Sequence, residues 1–187
     1  MSQKTTPEIV LGVTGSIAAY KAAELVRLMI KAGWGVSVIM TQDATRFVAP
    51  LTFRTLSQRP VSVDMFADPE AWVPGHISLA DHATVLVVAP CTANVIAKLA
   101  QGLADDMLSA TALASSAPLI VAPAMNSHMW AHPATRANVQ TLKQRGASFV
   151  DVGTGDLACG YEGQGRMAEP IQIMDVIGQV LKGKQQR

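Results

Sequence analysis

Apolar runs of strand length alternate along this chain with segments of helical period. EIVLGVTG (8–15) reads as a strand ending in glycine. Ser16 to Ala32 follows with helical spacing, and Ala19, Ala22, Ala23, Val26 and Ile30 form its candidate buried face, with Gly33 as the stop. GVSVIMT (35–41) is the next strand, Asp43 to Leu56 a helix, and VSVDM (61–65) a short strand. The stretch from Phe66 to His76 is loop-rich and holds two prolines. TVLVVAP (84–90) and PLIVAPAM (118–125) are buried strands, separated by a helix through Ala97 and another around Asp105 to Ala114. Pro133 to Gln144 reads as a helix, ASFVDV (147–152) as a strand, and Pro170 to Leu181 as a last helix with proline at its start. The tail GKQQR is polar and expected to fray.

Strands alternating with helices predict an α/β fold: three layers around a parallel sheet, as one domain spanning residues 1–187. Crossovers in such a sheet are right-handed, and ligands sit beyond the carboxyl ends of the strands. Composition sharpens this. Hydrophobic residues make up 49% of the chain and charged residues 16%, below the usual quarter. Much surface is therefore expected to be buried, in the core or between subunits. A net charge of +1 speaks against a nucleic-acid footprint, and the apolar runs are too short for a membrane span. MSQKTTPE lacks the apolar core of a signal peptide, and two cysteines make no disulfide framework, so the reading is a cytoplasmic protein with free thiols. Four histidines without clustered cysteines leave no metal site expected.

Polar chemistry gathers at strand ends. GVTGSIAAYK puts Gly12, Gly15 and Ser16 at a strand-to-helix turn. Glycines there allow close approach of a ligand and the helix start favours a phosphate; a plain turn with a serine cap reads equally well. The spacing matches neither the dinucleotide fingerprint nor a P-loop. VVAP leads into Cys91, Thr92, Ala93 and Asn94, and IVAP into Ala124, Met125, Asn126, Ser127, His128, Met129 and Trp130. Small residues leave room for a flat ligand, and asparagine offers a donor and an acceptor, though a lone asparagine is as readily a helix cap. Three such tips on one sheet favour a ligand crevice. His76, after Pro-Gly and before apolar residues, is better placed than His82 to act as acid, base or carboxylate partner. Cys91 follows an apolar strand and reads as a small buried residue. Cys159 lies in the glycine-rich GDLACGYEGQGRM, read either as a surface turn or as a mobile flap, about residues 153–168, that closes over a substrate.

TGSIAAYK, GHISLAD, APCTANVIAKLAQGLADDML, APAMNSHMW and LACGYEGQGRMAEP occur in that order. Together they resemble the homo-oligomeric flavin-containing cysteine decarboxylases, over about residues 8–175, and most closely the members that act on 4'-phosphopantothenoylcysteine in coenzyme A biosynthesis. The resemblance implies a flavodoxin-like sheet with FMN as cofactor. It places Gly15, Ser16, Ile17 and Thr41 at the flavin, with Cys91, Thr92, Ala93 and Asn94 as a second flavin-contacting segment and Ala124 at the rim of a third. It makes His76 the active-site histidine and Asn126 the holder of the substrate carboxylate, with Met129 and Trp130 completing that motif, and Cys159 the flap cysteine. The family often has an apolar residue where Cys91 stands, so Cys91 is taken as a packing variant. Many bacterial relatives carry a second domain that joins cysteine to phosphopantothenate; these 187 residues hold only the flavin-type domain.

The implied chemistry follows from the difficulty of removing CO2 from an unactivated carbon. The resemblance implies that the flavin takes two electrons from the thiol, that the resulting thioaldehyde serves as electron sink while decarboxylation gives an enethiolate, and that the reduced flavin returns the two electrons. Cys159 supplies a proton that allows reduction to the product thiol, which yields 4'-phosphopantetheine without NAD(P)H or metal. Arg166, on the flap, either pairs with the substrate phosphate or is simply solvated, and Lys98 has no assigned role. The resemblance also implies a trimer, or a dodecamer built from trimers, with the flavin near the subunit contact. Two alternatives stay open: a decarboxylase acting on the C-terminal cysteine of a peptide, and a non-catalytic FMN-binding regulatory subunit.

Overall fold

The computed structural model describes residues 6–67, 73–156 and 162–185. Its main sheet contains β1 (Glu8–Val13), β2 (Gly35–Met40), β3 (Val61–Ser62), β4 (Val85–Cys91), β5 (Leu119–Pro123) and β6 (Ser148–Phe149). The spatial order is β3-β2-β1-β4-β5-β6, and every neighbouring pair is parallel. From β1 the chain winds outward to β3, then returns to the centre and winds the other way from β4. The topological switch therefore lies between β1 and β4, where doubly wound sheets open a crevice at their carboxyl edge.

Eight helices among the described residues cover the sheet: α1 (Ala19–Lys31), α2 (Pro50–Ser57), α3 (Gly75–His82), α4 (Ala93–Gln101), α5 (Met107–Ala114), α6 (Ser127–Ala131), α7 (Pro133–Gln144) and α8 (Pro170–Gln185). The strand pleat sends alternate side chains into two cores. Ile9, Leu11 and Val13 join Leu25, Met29, Phe53, Ile173 and Ile177 from α1, α2 and α8. Val10 faces the other way, with Ile39, Leu86, Ile96, Leu108 and Leu142. Burial of each such large aliphatic or aromatic side chain contributes roughly 1.5–3 kcal/mol.

Several expected elements differ in detail. Helix α1 starts at Ala19, not Ser16, and it buries Leu25 and Met29 while Ile30 is exposed. The helix expected over Asp43 to Leu56 is two pieces, a 3-10 turn (Ala44–Arg46) and α2, because Pro50 has no N–H to continue a helix and is tolerated only in a first turn. Helix α3 replaces the end of the expected loop, and α8 continues through Lys182 to Gln185 where fraying was expected. Gly12 was read as a site of ligand approach. A Cβ there would strike the side chain of Leu108, so this glycine makes room for α5 against β1.

The glycine-rich segment is not wholly a loop. β7 (Gly153–Asp156) and β8 (Glu162–Arg166) pair antiparallel as a separate ribbon. Cys159 lies outside the described residues.

Candidate functional site

The ends of β1, β4 and β5 are tied to one another before any ligand is considered. Thr14, fully buried, donates its hydroxyl to the carbonyl of Pro90 at 2.8 Å and accepts from the N–H of Thr92 at 3.1 Å. The N–H of Ala124 donates to the carbonyl of Cys91 at 2.9 Å. The side chain of Thr92 then accepts from the N–H of Val95 and caps α4. These bonds leave three turns side by side at the switch point.

A mostly apolar cavity of about 530 Å³ opens over those turns. Gly15, Ser16, Ile17 and Ala18 line it from the β1–α1 turn, Thr92 and Ala93 from the β4–α4 turn, and Ala124, Met125, Asn126 and Met129 from the segment after β5. The ribbon closes one side with Gly165, Arg166 and Met167. Gly165 is required there. Its φ is +132°, and a Cβ would collide with the carbonyl of Met125, while its own carbonyl accepts from the N–H of Met125 at 2.9 Å.

Eight of the sequence-predicted residues thus meet in one cavity: Gly15, Ser16, Ile17, Thr92, Ala93, Ala124, Asn126 and Met129. Ser16 does not cap α1; its hydroxyl accepts from the N–H of Ala18 within the turn. Asn126 caps α6, its Oδ1 accepting from the N–H of His128 at 2.8 Å. The remaining residues lie outside this lining. Thr41 follows β2 and accepts from Ala44 N–H. Asn94 is exposed on α4, and Trp130 is half-buried on α6. Cys91 is fully buried in the core shared with α4 and α5, where burial pushes its thiol pKa up; the side chain packs, as a small hydrophobe does.

His76 sits elsewhere. It lies on α3, in a cavity of about 680 Å³ with Met65, Phe66, Pro74, Ile77, Ala110 and Leu113, and shares no lining residue with the first cavity. Its Nδ1 is buried with no hydrogen-bond partner among the described residues. Phe66 is 75% and Leu113 62% exposed beside it.

Two functional features escaped the sequence reading. Lys21, in an otherwise apolar stretch and four residues before the core Leu25, is 8% exposed and ion-paired with Glu169 at 2.7 Å. The hydrogen bond from Lys21, helped by the charges of Lys21 and Arg166, outweighs desolvation and holds the Glu169 carboxyl below the usual range. The second is Thr14, a polar residue at the end of an apolar run. Lys98, unassigned before, bridges Asp105 and Asp106 at 2.7 Å each. Burial alone would raise the Asp106 pKa, but bonds from Lys98 and Ser109 outweigh it and lower it, and Asp106 caps α5.

Among the described residues, no three metal-ligating side chains cluster and no helix is long and apolar enough to cross a membrane. The model of the flavoprotein family matches residues 1–182. The chain belongs to the flavoprotein family. Among its relatives is the coenzyme A biosynthesis bifunctional protein CoaBC of Bacillus subtilis (strain 168), 51% identical over 166 residues, which are 89% of this flavoprotein and 41% of that relative. The chain thus spans about two fifths of the length of the curated relatives it matches. A solved PPC decarboxylase mutant complexed with pantothenoylaminoethenethiol superposes with a TM-score of 0.86 at 30% identity, covering 95% of this chain and 99% of the other. The FMN-dependent cysteine decarboxylase SpaF superposes with a TM-score of 0.75 at 28% identity, covering 91% and 97%.

Proposed function

We propose that this flavoprotein binds FMN in the switch-point cavity and decarboxylates 4'-phosphopantothenoylcysteine to 4'-phosphopantetheine in coenzyme A biosynthesis. One observation carries this reading: three strand-end motifs, far apart in sequence, meet in a single cavity with Asn126 in its wall. The cavity suits a flavin. Its volume is in the range of small-molecule sites, about 300–1,000 Å³, and its walls are small residues, Ala18, Ala93 and Ala124, with Ser16 and Thr92 as donors. Gly15, Ser16, Ile17, Thr92, Ala93 and Ala124 hold the cofactor, whose bound isoalloxazine supplies a two-electron acceptor for the substrate thiol.

The chain's own residues do the rest. Asn126, locked as the cap of α6, presents a fixed carboxamide to the substrate carboxylate. Met129 gives an apolar wall beside it. Net, one carbon–carbon bond breaks, CO2 leaves and a proton takes its place, so no outside oxidant or reductant is consumed. Cys159 is assigned the donation of that proton and His76 the electrostatic guidance of the carboxylate.

His76 reaches a flavin cavity if the chain works as a homo-oligomer, a trimer or a dodecamer of trimers. Two unlike apolar faces support this: Phe66 and Leu113 around His76, and Ile17, Tyr20 and Met129 around the switch-point cavity, at 57%, 61% and 48% exposure. Docking one face on the other is a heterologous contact, which a three-fold rotation would close into a ring. The orphaned Nδ1 then finds its partner in the neighbour's site.

The test is direct. The purified protein is expected to show a flavin absorption band and, given 4'-phosphopantothenoylcysteine, to release CO2 and product 44 mass units lighter (about one CO2). A protein that neither holds FMN nor loses CO2 from this substrate contradicts the proposal.

A further inference from the structure

The substrate proposed above carries its reacting carboxylate and its phosphate at opposite ends of a long arm. A carboxylate held at Asn126 obliges the phosphate to lie well outside the pocket that holds the cysteine end. A groove of about 620 Å³ adjoins that pocket and shares Tyr20, Lys21 and Arg166 with it. The groove is otherwise lined by one stripe of α1, including Glu24 and Arg27, and by Glu169 and the start of α8. Three cations there face two carboxylates, which favours an anion.

We propose that Arg166 binds the substrate's phosphate monoester in this groove and thereby sets the preference for phosphorylated over unphosphorylated substrate; the assignment rests on the decarboxylase reading. The ion-pair geometry supports it. Glu169 takes its shorter bond, 2.7 Å, from the buried Lys21 and a longer one, 3.2 Å, from Arg166. Lys21 therefore anchors the carboxylate, and Arg166, 45% exposed, is the partner free to turn toward a dianion. Among the described residues the guanidinium donates only to Glu169, out of five N–H donors. A planar fork matches phosphate in a way a point charge does not. The hydrogen bond between Met125 and Gly165 joins the ribbon next to Arg166 to the segment that carries Asn126, so the two ends of the substrate are read by connected elements. The β1–α1 turn lines only the inner cavity, which leaves it for the flavin's own phosphate.

The test compares 4'-phosphopantetheine with pantetheine, which differ only in the phosphate and bind without turnover. Their dissociation constants are measured by calorimetry on the FMN-loaded protein. The wild type is expected to prefer the phosphorylated compound, and Arg166→Gln to cut that preference by about 10- to 100-fold, the loss of one charge-assisted pair. Arg166→Lys, which keeps the charge without the fork, falls between. An unchanged preference in Arg166→Gln overturns the assignment. So does a variant that loses FMN while its preference survives, since the arginine would then serve the flavin phosphate. Should Arg166→Gln fail to fold, the wild-type preference compared with Arg166→Lys decides. CO2 release by the wild type is read separately, and its absence counts against the decarboxylase reading, not against the arginine.

Discussion

The two cavities that hold the motif residues are built differently. The switch-point cavity rests on the ends of three central strands, cross-tied by Thr14, Thr92, Cys91 and Ala124. The His76 cavity rests on two eight-residue helices, α3 and α5, and is rimmed by exposed Phe66 and Leu113. The first has its turns fixed by hydrogen bonds to one another. The second has a buried ring nitrogen with no partner among the described residues and an exposed apolar rim, features that fit the proposed subunit contact. Under the proposed function, the first cavity is the floor for cofactor and substrate, and His76, which shares no lining with it, would act in a neighbouring subunit.

The largest expected break in this comparison comes from Asn126→Asp. The variant keeps an acceptor for the α6 cap but sets a negative charge against the substrate carboxylate. Turnover is expected to fall at least ~100-fold with FMN content and thermal stability unchanged, since misplacing a reacting group costs about that much. Steady-state CO2 release checks it.

Next is Thr14→Val, nearly isosteric, which leaves the Pro90 carbonyl and the Thr92 N–H buried without their partner. Urea unfolding should show a loss of about 1–3 kcal/mol, together with weaker FMN retention because the turns lose their cross-tie. A comparable substitution in the His76 cavity, Leu113→Ser, should leave FMN retention alone and raise the fraction of free subunits on size exclusion, because it acts on the exposed rim.

The smallest effect concerns the clasp beside the first cavity. Glu169 has its folded pKa held below the ordinary 4.5, first by the hydrogen bond from Lys21. A depressed carboxyl contributes stability that is fully present above its unfolded pKa and is lost as pH falls through the lower folded value. Stability measured from neutral pH down through 4.5 should therefore decline less steeply in Glu169→Gln than in the wild type. The half-exposed carboxylate limits the size of the difference.

The central strands were legible because β1, β2, β4 and β5 are buried on both faces and read as continuous apolar runs. Helix α7 was legible to both ends, with Pro133 fixing its start. Helices α3 and α6 were not. Each is short, starts soon after a proline and carries little apolar periodicity, so local signals favour a loop and tertiary packing decides. The face of α1 was misread by about one residue: Ile30 fits a helical stripe as well as Met29, and only the strand beneath selects between them. The ribbon was missed because glycine, threonine and glutamine show no alternation. In the site, strand-end motifs were readable as motifs. Lys21 was not singled out, because its partner Glu169 lies 148 residues away. That His76 lines a cavity separate from the strand-end motifs is a property of tertiary packing, which no local pattern encodes.

The most direct measurement of a site shared between subunits mixes two inactive variants. His76→Gln and Asn126→Asp are each expected to be nearly inactive alone. Co-expressed in equal amounts, they should regain about a quarter of wild-type CO2 release, because random assembly pairs an intact histidine face with an intact asparagine cavity at that frequency. Mixed oligomers that form and yet stay as inactive as either parent would place His76 and Asn126 in the same subunit's site and contradict the division of labour between the two cavities.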